Sequence, residues 1–130
     1  MHKFMAVTHK RAKRKASGGR YISFRKKRIF ETGSLPTLTK LKERKSKTVR
    51  TKGGSVKFRL LGENIANVYD PKTKKCSKVK IKNIVENPAN RHFVRRNIMT
   101  KGTIIETEKG KAKITNAPGQ ENVVNAILIS

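Results

Sequence analysis

The chain has 130 residues, 33 of them Lys or Arg against 8 Asp or Glu, giving a formal charge of +25. On a mass of 14.7 kDa that charge repels itself unless a polyanion neutralises it. Aromatic residues make up 5% and Trp is absent, which leaves little planar surface for the core of a large enzyme with a deep pocket.

The start, Met1-His2-Lys3-Phe4-Met5-Ala6-Val7-Thr8, lacks the apolar stretch of a secretory signal. No run of about 18 apolar residues follows, so no membrane helix is expected. Residues 1–45 carry 15 Lys and Arg with 2 acids, Glu31 and Glu43, while residues 46–130 carry 18 with 6 acids. Large apolar residues divide the other way, 12 in the first stretch and 24 in the second. The first third therefore cannot bury enough surface to offset its ordering entropy. Residues 1–45 are expected to be a basic arm, disordered when free, and residues 46–130 a small domain. The polar residues 34–47, with Pro36, are expected to link the two.

Two basic segments dominate the arm. Lys10-Arg11-Ala12-Lys13-Arg14-Lys15-Ala16-Ser17-Gly18-Gly19-Arg20-Tyr21 sets dense cations beside two glycines. Glycine permits positive φ and a close backbone approach to a phosphate ribbon, and its amide can face a phosphate. Arg25-Lys26-Lys27-Arg28 follows, with Tyr21, Phe24 and Phe30 interleaved. Aromatic and guanidinium planes can stack on unpaired bases, a mode suited to RNA. A solvated tail or a nuclear-import signal has a similar composition, but the high charge continues into the domain. The rings could instead dock the arm.

The domain reads as all-β, a small barrel or sandwich of six or seven strands. Val56, Phe58 and Leu60 alternate with Lys57 and Arg59; Val79 and Ile81 with Lys78, Lys80 and Lys82; Ala112 and Ile114 with Lys111 and Lys113. Period two predicts one apolar and one basic face. Turns are expected at Gly53-Gly54, Leu61-Gly62, Asp70-Pro71-Lys72, Lys101-Gly102, Lys109-Gly110 and Pro118-Gly119. In Asn87-Pro88-Ala89-Asn90, Asn87 as N-cap and Pro88 next predict one helical turn. Residues 123–129, apolar almost throughout, predict a strand buried on both sides that closes the sheet.

Nothing points to catalysis. His2, His9 and His92 do not stand at metal-ligand spacing with Cys76, the one cysteine. Cys76 is expected to be a small buried hydrophobe, and its lack of a disulfide partner fits a reducing compartment. Glu106 and Glu108 read as surface charges, and no phosphate-binding GxxxxGK[ST] loop is present. No metal, cofactor, membrane or small-molecule substrate is expected. Within the domain, Arg50, Lys52, Lys57 and Arg59 surround Gly53-Gly54, and Arg91-His92-Phe93-Val94-Arg95-Arg96 forms a second cluster. Guanidinium offers planar bidentate contact with phosphate. Lys78, Lys80 and Lys82 can equally be a solvent face that discourages edge-to-edge aggregation.

These motifs in combination resemble the archaeal and eukaryotic family of ribosomal protein eight of the small subunit. The resemblance rests on Arg14-Lys15-Ala16-Ser17-Gly18-Gly19, the basic run after it and Phe30-Glu31-Thr32-Gly33. It continues through Val49-Arg50-Thr51-Lys52-Gly53-Gly54-Ser55-Val56-Lys57-Phe58-Arg59-Leu60, Val85-Glu86-Asn87-Pro88-Ala89-Asn90 and Phe93-Val94-Arg95-Arg96-Asn97-Ile98. Thr100-Lys101-Gly102, Ile104-Ile105-Glu106-Thr107-Glu108 and Pro118-Gly119-Gln120 with Val124-Asn125-Ala126 complete it, and the short length resembles the archaeal form. Thr32 and Ser55 stand where Leu or Met and Asn are usual. The resemblance implies a β-barrel-like domain and an extended arm bound to small-subunit ribosomal RNA. It also implies neighbouring ribosomal proteins as partners and a cytoplasmic place in the small subunit. The residues alone also admit a free nucleic-acid chaperone or a DNA-binding protein.

Overall fold

A computed structural model describes residues 7–129. The chain divides into two compact units, one reaching Pro36 and one beginning at Thr37.

The second unit is a β-structure in two parts. One is an open sheet of β1 (Thr39–Leu41), β2 (Lys45–Arg50), β3 (Val56–Glu63) and β6 (Ile98–Met99), in the order β2-β3-β1-β6. The other is a closed barrel of β4 (Ile65–Asp70), β5 (Lys75–Glu86), β7 (Ile104–Thr107), β8 (Gly110–Ile114) and β9 (Asn125–Leu128). The strands expected as one small barrel thus form a five-stranded barrel and a second sheet. Asn64 alone separates β3 from β4, so the chain passes from sheet to barrel in one residue. Its carbonyl accepts from the Ile81 amide at 2.9 Å. Strand β1 lies within the stretch expected as linker. Thr39 there is fully buried and its hydroxyl donates to the Leu60 carbonyl at 2.7 Å.

Alternation along the staves builds the core. Ala66 and Val68, Val79 and Ile81, Ala112 and Ile114 all face inward and are buried with Ile105, Val124 and Ala126. Alanine on β4, β8 and β9 suits a narrow barrel, where small and large residues share the interior. Ile84 is buried too, three residues after Ile81, which strict alternation forbids. An irregularity in the β5–β7 register between Ile81 and Asn83 supplies the extra residue and restores the inward face. Strand β9 closes the barrel by pairing parallel to β4, and the Asn67 amide donates to the Asn125 side-chain oxygen across that seam at 3.0 Å.

Several local expectations are corrected, among them the turn at Leu61-Gly62, which lies within β3 with Gly62 paired to Lys40 and Lys45. Residues 123–129 are not buried on both sides: Val124 and Ala126 point inward, while Ile127 and Ile129 are exposed, because a barrel stave has one solvent face. Cys76 is exposed, since it stands three residues from inward Val79 and so shares the outer face with Lys78 and Lys80. The helical turn α1 (Arg91–Arg95) is capped by Asn90, whose side chain accepts from the His92 amide at 2.9 Å. Asn87 is instead buried, donating to the Ile98 carbonyl and accepting from the Ala89 amide. Finally, Val56 and Phe58 are about half exposed, and only Leu60 of that alternating set reaches the core.

Candidate nucleic-acid interface

The first unit folds its glycine motif into a small hairpin. The Tyr21 amide donates to the Lys13 carbonyl at 3.0 Å, and Arg14 and Arg20 form an antiparallel bridge. At the tip the Gly18 amide donates to the Lys15 carbonyl at 3.0 Å, and the Lys15 amide to the Gly19 carbonyl at 2.7 Å. Gly18 takes φ +86°, the left-handed step that ends such a tip. The Arg14 guanidinium donates to the Gly18 carbonyl at 3.1 Å.

The second glycine motif repeats this pattern on another element. In the β2–β3 turn the Gly54 amide donates to the Thr51 carbonyl at 3.2 Å, and the Thr51 amide to the Ser55 carbonyl at 2.7 Å. Gly53 and Gly54 both take φ +85°. A Cβ built on Gly18, Gly53 or Gly54 meets nothing within 4 Å, so the chain demands these glycines for their φ and leaves both tips open.

The aromatic rings of the arm are taken by its own cations. The Arg11 guanidinium lies 3.7 Å from the Tyr21 ring centroid, a stacking distance. Arg25 sits 5.0 Å from the Phe24 ring and 5.1 Å from the Phe30 ring, and pairs with Glu31 at 2.8 Å. The Arg28 amide donates to the same carboxylate at 3.1 Å, and the Lys10 ammonium to the Arg25 carbonyl at 3.2 Å. Of the expected site residues, Arg25 and Lys10 therefore brace the arm internally. Arg11, Lys13, Arg14, Lys15, Ser17, Gly19, Arg20, Lys26, Lys27 and Arg28 are exposed. A concavity of about 960 Å³ runs along this unit, lined by six Lys or Arg and by Glu31 as its one acid, a setting for an anion rather than for acid–base chemistry.

Pairing register sorts the domain cations. Val49 faces Lys57 and Lys47 faces Arg59, so these four share one face of the β2–β3 hairpin. Arg50 faces Val56 and Thr48 faces Phe58 on the other. The cations expected as one cluster are thus split, with Lys57 and Arg59 behind and Arg50 in front. Lys52 is exposed in the turn itself. Lys47 belongs to this face although composition did not single it out. A hairpin centred on residue 53 pairs 47 with 59, which is the signal that finds it. Like charges directly opposite destabilise a sheet, so Lys47 and Arg59 call for an anion. Arg59 also donates to the Thr37 hydroxyl at 2.9 Å.

Exposed Arg91 and Arg95 stand four apart on α1 and so project from one side, with exposed His92 and Arg96 next to them in sequence. A further ion pair, Arg44 with Glu63 at 2.6 Å, is structural, since the Glu63 side chain is only 3% exposed. Among the described residues no group of three or more His, Cys, Asp or Glu is placed to hold a metal.

Comparison with known proteins bears on this arrangement. The family model described as Ribosomal protein S8e matches residues 8–129. The small ribosomal subunit protein eS8 of Methanococcus aeolicus is 52% identical over 127 residues, 97% of this chain and 99% of its own. That of Picrophilus torridus is 49% identical over 125 residues, 96% of this chain and the whole of its own. That of Methanocorpusculum labreanum is 53% identical over 116 residues, 89% of this chain and 93% of its own. With a family model spanning nearly every described residue and relatives about half identical along their full lengths, the chain belongs to the S8e family of ribosomal proteins.

Proposed function

We propose that this chain is a structural constituent of the small ribosomal subunit that binds and stabilises its ribosomal RNA. In this reading the basic stretch that ends at Pro36 serves as an arm that orders in RNA, and the β-structure that begins at Thr37 as the domain that fixes where the arm enters. The observation that carries the reading is the pair of open hairpin tips with one hydrogen-bond pattern, at Gly18 and at Gly53-Gly54, each set among cations. Both set Lys and Arg beside a backbone apex that a phosphate ribbon can approach without meeting a side chain. Neutralisation of phosphates where RNA helices meet then offsets the self-repulsion of the +25 charge.

Co-sedimentation with small subunits after a high-salt wash tests this. The expected result is retention on the particle that survives DNase and is lost on RNase treatment. Release by salt together with loss on DNase treatment would identify a free DNA-binding protein instead.

A further inference from the structure

Strand β3 carries its core-facing side out into solvent. Leu60 is fully buried, yet Phe58 and Val56, on the same face by period two, are 52% and 51% exposed. The hairpin runs beyond the core, and its apolar face is only about half covered within this unit. Phe58 lies directly opposite Thr48, and Val56 opposite Arg50. Around this patch, residues 45–60 hold six Lys or Arg and no acid. An apolar partner must therefore also bring negative charge. An unpaired nucleotide does both, with a flat apolar base and a phosphate one bond path away. In the arm, by contrast, Tyr21, Phe24 and Phe30 already have cations over their rings. Phe58 has no cation–π partner of that kind among the described residues.

From this we infer that Phe58 is a stacking platform for one unpaired RNA base, with Arg50 on the same face meeting the adjoining phosphate. The inference rests on the proposed RNA-binding function and deepens it. The hairpin then works with two faces. Lys47 and Lys57 on one side meet backbone phosphates, while the Phe58 side holds a base turned out of its helix.

The absence of Trp from the chain makes the test direct. Phe58→Trp in the full-length protein places a single Trp at the platform, and Ile127→Trp places one on the solvent face of β9 as a control. The probes are an oligoadenylate of about ten nucleotides and an RNA duplex of equal phosphate number. The expected result is strong quenching of Trp at 58 by the oligoadenylate, weak quenching by the duplex, and little change at 127. Phe58→Ala should weaken oligoadenylate binding roughly 5- to 100-fold, with Phe58→Tyr restoring it and Phe58→Leu failing to. Unchanged thermal unfolding of these variants shows that the fold is intact. Phe58→Leu binding as well as the parent would mean a merely apolar contact, such as a neighbouring protein, and would overturn the inference. So would duplex binding with no oligoadenylate binding, while the RNA-binding reading stands. Binding of neither probe would overturn both.

Discussion

Gly18 separates two reasons for placing glycine among cations, because they predict opposite rankings of the same substitutions. The structure gives Gly18 a φ of +86° and open space where a Cβ would stand. The cost of a side chain in the chain itself is therefore conformational. A left-handed backbone costs an ordinary residue about 1–2 kcal/mol, whereas Asn tolerates it far better. At 1.4 kcal/mol per tenfold, Gly18→Ala should weaken binding to a small-subunit RNA fragment by about 5- to 30-fold. Gly18→Asn, although larger, should weaken it less. The next residue supplies a contrast. Gly19 has an ordinary φ, and its Cβ would meet only the Ser17 hydroxyl oxygen at 3.7 Å and the Lys15 Cδ at 3.9 Å, so Gly19→Ala should leave the hairpin itself intact. A filter-binding titration of the three variants at one salt concentration decides the matter. If Asn at position 18 binds more weakly than Ala, size rather than φ governs the site, and the conformational account is refuted.

Lys47 faces Arg59, so Lys47→Glu replaces repulsion by attraction. It should raise domain stability by a few tenths of a kcal/mol while lowering RNA affinity and reducing the salt slope by roughly 1, read by thermal unfolding and by titration. For the native chain, neutralisation of about 8 phosphates predicts log K falling with log salt at a slope of about −6 to −7 in a salt series, and a flat response would contradict it. Asp70 accepts from the Thr73 hydroxyl at 2.8 Å and the Lys72 amide at 2.9 Å, and these hydrogen bonds hold its carboxyl below its ordinary value of 3.8. Its contribution to the β4–β5 turn is present above that ordinary value and lost as pH falls through the lowered one. Asp70→Asn should therefore remove part of the acid-side fall in unfolding temperature and change nothing in its slope near neutrality.

The strands were legible wherever alternation ran unbroken, as at Ala112 and Ile114 or Val79 and Ile81. Alternation names a face but not what covers it, which is why Phe58 read as core and proved exposed. It also fails at an irregularity: Ile84 is buried only because the register shifts after Ile81. Cys76 was legible in principle, since its odd spacing from Val79 already put it outside. Of the two asparagines in Asn87-Pro88-Ala89-Asn90, the cap depends on a contact remote in sequence, because the Ile98 carbonyl holds Asn87. At the interface, both glycine tips were legible from composition, while the split of Arg50 from Lys57 and Arg59 followed from pairing register. The engagement of Arg25 with Glu31 and two rings needed coordinates, since spacing alone cannot say which cation an acid selects.

Amide hydrogen exchange of the full-length chain, comparing the free protein with the protein assembled in small subunits, reports whether both hairpin tips lie on RNA. Large new protection over residues 10–28 and 47–57 is expected on assembly, with the barrel amides of β4, β8 and β9 protected in both states. Exchange at those two segments as fast in the particle as in the free chain would contradict that placement of the tips.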